Sequence, residues 1–144
     1  VYAMLNKKEE TMKYLHSMIR VNNLENSLRF YKELLGLKLQ SKKDLDDCTL
    51  YFLAEYEGGP EIELTDNWEK PQTPYKTGET FGHFAFECKD MDAFVKKARE
   101  MGYELLYNSP FNLDIKNEDG TVTVKRISFI QDPDGNEIEI IYKG

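Results

Sequence analysis

The chain has 144 residues, 40% of them hydrophobic and 31% charged, a globular mixture long enough for one domain or for two half-size modules sharing a core. A formal charge of -7 argues against a nucleic-acid partner, because a phosphate backbone selects a basic surface. No apolar run is long enough to span a membrane, no basic amphipathic stretch suits a membrane surface, and Cys48 and Cys88 lack finger or redox spacing, so a cytoplasmic protein with free thiols is expected.

Residues 1–11 carry no pattern that continues into the next segment, and they read as a tag remnant or a frayed extension. Residues 14–21 alternate: Tyr14, His16, Met18 and Arg20 share one face of an expected strand. Asn22 and Asn23 offer a helix cap, and Leu24, Leu28, Tyr31 and Leu35 form one stripe of a helix that Gly36 ends. Residues 38–40, 49–54 and 61–65 then read as strands.

The second half repeats this plan. Residues 81–88 alternate with Phe81, His83, Ala85 and Glu87 on one face, and Asp90 caps a helix marked by Met91, Phe94, Ala98 and Met101 and stopped by Gly102. Residues 104–107, 122–131 and 137–142 are the expected strands. Asp132-Pro133-Asp134-Gly135 is a turn between the last two, and its counterpart is Glu57-Gly58-Gly59-Pro60. The whole reads as an α+β fold of two tandem βαβββ modules, residues 12–65 and 81–144, joined by a linker over 66–80. Their curved mixed β-sheets are expected to form a cleft, with helices outside and polar residues on the inner face.

The chain has only two histidines, His16 and His83, and they occupy the same register of the repeat. Each is matched by acidic residues on the last strand of its half, Glu61 and Glu63 in one and Glu137 and Glu139 in the other. Alternation does not choose within either pair, since both members share a face. Two imidazoles and two carboxylates suit a divalent first-row metal such as nickel, cobalt, zinc or iron, and a cation offsets the cost of placing two carboxylates together.

The run from Leu15-His16-Ser17-Met18 through Ser27-Leu28-Arg29-Phe30-Tyr31 to Leu35-Gly36-Leu37 resembles the opening of the bacterial glyoxalase I family, within the vicinal-oxygen-chelate superfamily. Ile62-Glu63-Leu64-Thr65-Asp66-Asn67-Trp68, Phe81-Gly82-His83-Phe84-Ala85 and the closing Asp132-Pro133-Asp134-Gly135-Asn136-Glu137-Ile138-Glu139 are similar to that family's later motifs. The resemblance covers nearly all of residues 12–142. It implies a lactoylglutathione lyase of methylglyoxal detoxification, which isomerises the hemithioacetal of methylglyoxal and glutathione to S-lactoylglutathione. The ligands implied are His16, Glu63, His83 and Glu139, with Glu139 and Glu63 as the proton-transferring carboxylates and Arg20 and Asn67 at the glutathione moiety. Nickel or cobalt is implied, because the long insertions of zinc-type eukaryotic relatives are absent, with zinc as the alternative. A homodimer is implied as well.

Residues 111–124 form a longer, more acidic loop than the resemblance would give, and Lys116 or Lys125 only loosely stand for the basic residues some relatives place there. Two rival functions share the fold: another metalloenzyme such as a methylmalonyl-CoA epimerase, or a metal-free small-molecule binder. The stretch from Thr65 to Trp68 speaks against the first, and the complete set of four metal-ligating residues against the second.

Overall fold

The computed structural model describes residues 11–143, so the expectation for residues 1–11 lies, Thr11 apart, outside the described residues. Strand β1 (His16–Arg20) leads through the Asn23 cap into helix α1 (Leu24–Leu28), which continues as a π-helical turn (Arg29–Leu34). Strands β2 (Lys38–Asp44), β3 (Cys48–Ala54) and β4 (Glu61–Asn67) complete the first module. The second contains β5 (His83–Cys88), α2 (Met91–Glu100), β6 (Leu105–Lys116), β7 (Val122–Gln131) and β8 (Glu137–Tyr142).

The modules form two separate four-stranded sheets of the same order, β1-β4-β3-β2 and β5-β8-β7-β6. Both are mixed, because the first strand of each module runs parallel to its last while the other neighbours are antiparallel. The helical crossover after β1 and β5 makes the parallel pairing feasible, since such a connection needs a dozen or more residues. The α+β reading and the strand plan hold.

Each sheet turns its apolar side toward a shared core. Leu53 and Leu64 from the first sheet and Ile130, Ile138 and Ile140 from the second join Phe30, Tyr31 and Leu34 of the first helical segment and Val95 and Ala98 of α2 in one cluster. The expected α-helical stripe over 24–35 is corrected by the backbone, which widens after Leu28, with Leu35 N–H bonding the Phe30 carbonyl at 3.1 Å. This places the adjacent rings of Phe30 and Tyr31 both in full burial, which a single α-helical stripe would not do.

The expected loop over 111–124 is corrected too. It is a β-hairpin, in which Phe111 to Lys116 pair with Val122 to Ile127 in register. Asn117 and Gly120 close it: Asn117 N–H bonds the Thr121 carbonyl at 2.8 Å, and Gly120 adopts φ +87°. Apolar residues alternate with polar ones on both strands, and the acidic Asp114, Glu118 and Asp119 sit in solvent, so charge masks a strand pattern.

Contact between the modules runs through Asp132. Its buried carboxylate accepts the Tyr31 hydroxyl at 2.6 Å, the Asn136 side-chain amide at 2.9 Å, and the backbone N–H groups of Asp134 and Asn136. Arg29 adds bonds to the Met101 carbonyl and the Tyr103 hydroxyl, and Asp134 accepts the Asn22 N–H. Burial, with Asp132 beside it, raises the Tyr31 phenol well above its usual value near 10.

Tyr31→Phe should therefore cost about 1.5–3 kcal/mol at neutral pH, the range for a hydrogen bond to a charged group, in urea unfolding. Because the folded phenol titrates above the unfolded one, its contribution is complete below pH 10 and is lost as pH rises beyond it. The gap between wild type and variant should narrow above that pH. A gap that widens there would contradict the assignment.

Candidate active site

The parallel register of β1 on β4 places His16 opposite Glu61 and Met18 opposite Glu63. His16, Met18, Arg20, Glu61, Glu63, Thr65 and Asn67 consequently share the face of the sheet turned away from the core strands' apolar side chains. Here the structure separates what alternation leaves open. His16 Nε2 lies 3.1 Å from Glu63 Oε1, so Glu63, not Glu61, is the partner. The other carboxylate oxygen of Glu63 accepts the Thr65 hydroxyl at 2.9 Å, and Phe52, cross-strand from Glu63, sets its ring edge-on to the imidazole at 5.4 Å.

The second module repeats the arrangement strand for strand. His83 opens β5 as His16 opens β1, and its Nε2 lies 3.4 Å from Glu139 Oε1. Phe129 stands cross-strand from Glu139 and edge-on to His83 at 6.0 Å. Glu137 is withdrawn from the pair because its carboxylate accepts the Tyr107 hydroxyl at 2.8 Å, a bond that also raises the Tyr107 phenol. Tyr107 and Asn108 hold positive φ values of 59° and 52°, which costs of order 1–3 kcal/mol each in a residue other than glycine and is met more at functional sites than elsewhere.

Two ligands of one first-row metal at about 2.1 Å stand roughly 3.0–3.4 Å apart, which is the spacing each His–Glu pair presents. The imidazoles are partly open, with side-chain exposures of 37% and 43%, while Glu63 and Glu139 are nearly covered at 11% and 17%. The donor set fits a divalent metal. A single chain gathers it as two separate His–Glu pairs: among the described residues no group of three or more His, Cys, Asp or Glu is placed to hold one metal ion.

Arg20 and Asn67 lie together away from the pairs, lining one surface pocket with Asp47, Lys70 and Tyr75. Asn67 keeps a buried side-chain oxygen without a hydrogen-bond partner among the described residues, while Lys70 bonds Asp66 and the Asn67 carbonyl. Cys48 and Cys88 are free thiols, both pushed up in pKa by burial. No helix among the described residues is long and apolar enough to cross a membrane. Phe52, Phe129, Thr65 and Tyr107 escape a reading of the sequence alone. Superposing the two repeats could have found the phenylalanines, since each faces the glutamate partner of its histidine.

Residues 13–140 match the Glyoxalase/Bleomycin resistance protein/Dioxygenase superfamily. The chain is 35% identical to the lactoylglutathione lyase of Neisseria meningitidis, over 92% of this chain and 91% of that one. It is 38% identical to the probable lactoylglutathione lyase of Synechocystis, over 88% and 92% of the two chains. This chain belongs to the glyoxalase I family. Among solved structures, the trypanothione-dependent glyoxalase I of Leishmania major superposes with a TM-score of 0.71 at 33% identity, covering 92% of this chain and 88% of that one. The glyoxalase I fold thus carries the two His–Glu pairs.

Thr65→Val removes the only side-chain donor to the covered oxygen of Glu63 among the described residues. The variant should lose about 1–3 kcal/mol in urea unfolding, the cost of leaving a buried acceptor unpaired. Full stability would mean that Glu63 is held by something other than Thr65.

Proposed function

We propose that the chain is a lactoylglutathione lyase, converting the hemithioacetal of methylglyoxal and glutathione to S-lactoylglutathione on one divalent metal. The reading rests on the two His–Glu pairs, which stand at equivalent points of the repeat with the donor spacing of a single metal's ligands. His16 and Glu63 supply one half of the ligand set and His83 and Glu139 the other. Because one chain holds these halves apart, the site is completed between two copies, the first module of one facing the second module of its partner. Nickel or cobalt is the preferred metal and zinc the alternative, and the cytoplasm is the compartment that suits two free thiols.

The metal supplies positive charge that offsets the negative charge developing on two adjacent substrate oxygens. The chain's own residues do the rest. A carboxylate takes the proton from one carbon and returns it to the next. Glu139 is the better base, because Glu63 already spends an oxygen on Thr65 while no such bond engages Glu139 among the described residues. Arg20 and Asn67, which line one pocket, are the groups assigned to the thiol's carboxylate and N–H groups, since a guanidinium pairs with a carboxylate through two parallel bonds and the Asn67 side-chain oxygen has no partner among the described residues.

Apo-protein loaded in turn with nickel, cobalt and zinc should convert methylglyoxal plus glutathione in an ultraviolet assay, with nickel or cobalt above zinc. Absence of turnover with every metal would overturn the reading. Glu139→Gln should keep part of the metal and lose about two to four orders of magnitude in kcat, the scale of a missing general base. Near-normal turnover by that variant would move the base to Glu63. Arg20→Ala should raise KM roughly ten- to a hundred-fold with metal still bound, and Arg20→Lys should recover only part. An unchanged KM would remove Arg20 from the substrate.

A further inference from the structure

Strand β2 contains a bulge. Leu39 pairs with Leu53, but the next pair is Ser41 with Phe52, so Gln40 is the extra residue. A bulge shifts the alternation by one and re-aims every side chain after it. Without it Lys42 would face the histidine side of the sheet; with it Lys43 does. Lys43 pairs with Leu50, Leu50 with Thr65 and Thr65 with Arg20, one continuous row across the four strands. Lys42 turns to the other face, over the Tyr51 ring.

From that row the Lys43 side chain leans toward the metal pair. Its ammonium lies 5.2 Å from the centre of the Phe52 ring, the same ring that stands edge-on to His16 at 5.4 Å. Among the described residues no ion pair includes Lys43, whereas Lys70, Lys96 and Lys143 each have one. A cation held over an aromatic ring, without a carboxylate of its own, and one ring away from a metal-ligating imidazole awaits an anion brought by the substrate.

On the footing of the lyase function, we propose that Lys43 is a specificity-determining residue that receives a carboxylate carried on the aldehyde half of the substrate. The enzyme on this reading prefers 2-oxoaldehydes with an acidic side chain over methylglyoxal. The aldehyde half is chosen over the thiol because Arg20 lies on the opposite edge strand of the same row. Three interstrand steps of about 4.8 Å, some 14 Å, separate the strands of the two cations, with Glu63 on β4 between them and His16 at the far end of the Arg20 strand. A thiol anchored at Arg20 and Asn67 with its sulfur at the metal sends the aldehyde substituent toward β2.

The test compares kcat/KM for methylglyoxal and for a carboxylated 2-oxoaldehyde, 4,5-dioxopentanoate, each as its glutathione adduct, in wild type, Lys43→Met, Lys43→Arg and Lys42→Met. Lys43→Met should lower the ratio of acidic to neutral aldehyde by roughly ten-fold or more, as expected for a lost charge-assisted contact. Lys43→Arg should restore most of it, and Lys42→Met, with the same change in net charge on the opposite face, should not lower it. An equal fall for both aldehydes overturns the proposal, and so does an unshifted ratio. A ratio that shifts only when glutathione is exchanged for its glycine monoester assigns the contact to the thiol and also overturns it. If wild type converts neither aldehyde, the functional reading falls and this inference with it. Calorimetric titration with S-carboxypropyl- and S-butylglutathione gives a readout free of turnover: Lys43→Met should weaken only the acidic adduct.

Discussion

The buried carboxylate of Asp132 is the constraint on which most of this molecule depends. Two of its four bonds close the β7–β8 turn on backbone N–H groups, which fixes where β8, the strand of the His83 partner Glu139, begins. A third comes from Tyr31 in the first module, so the same group that closes the turn before β8 also ties the two modules together. A buried charge is tolerable only when its lone pairs are filled, and here the turn and the neighbouring module fill them.

That tie governs the way the chain divides its labour. One hydrophobic cluster takes the apolar backs of both sheets and the helices, leaving the two histidine-bearing faces free of the core. Each face is built by the same register: a histidine at the start of the first strand, a glutamate on the parallel last strand, and a phenylalanine on the antiparallel strand beyond. Duplication makes two equivalent His–Glu pairs, and in the proposed dimer closed two-fold symmetry would bring the pair of one module to that of the partner's other module, twice over.

Much of this was legible in the residues because both halves keep clean period-two strands and helical stripes ended by Gly36 and Gly102, which made the repeat and its matched histidines visible. The choice of Glu63 over Glu61 and of Glu139 over Glu137 was implied by the family resemblance but not by the alternation, since members of each pair share a face. It is made by side-chain reach across a parallel ladder and by Tyr107 occupying Glu137. The hairpin over 111–124 was hidden by its acidic residues, and the π-helical turn by the burial of two adjacent aromatics. Lys43 gave no signal at all, because a bulge at Gln40 reverses the face that simple alternation assigns.

The central claim, that the working metal site joins the first module of one copy to the second module of another, is tested most directly by complementation. His16→Ala and His83→Ala should each be inactive as pure dimers, since every site then lacks a ligand. Unfolded together and refolded with nickel, half the dimers are mixed, and each mixed dimer holds one site with all four ligands intact. The mixture should therefore recover about a quarter of wild-type activity. If the four ligands instead meet within a single chain, neither variant can repair the other, and a mixture that stays inactive while forming mixed dimers would contradict the account.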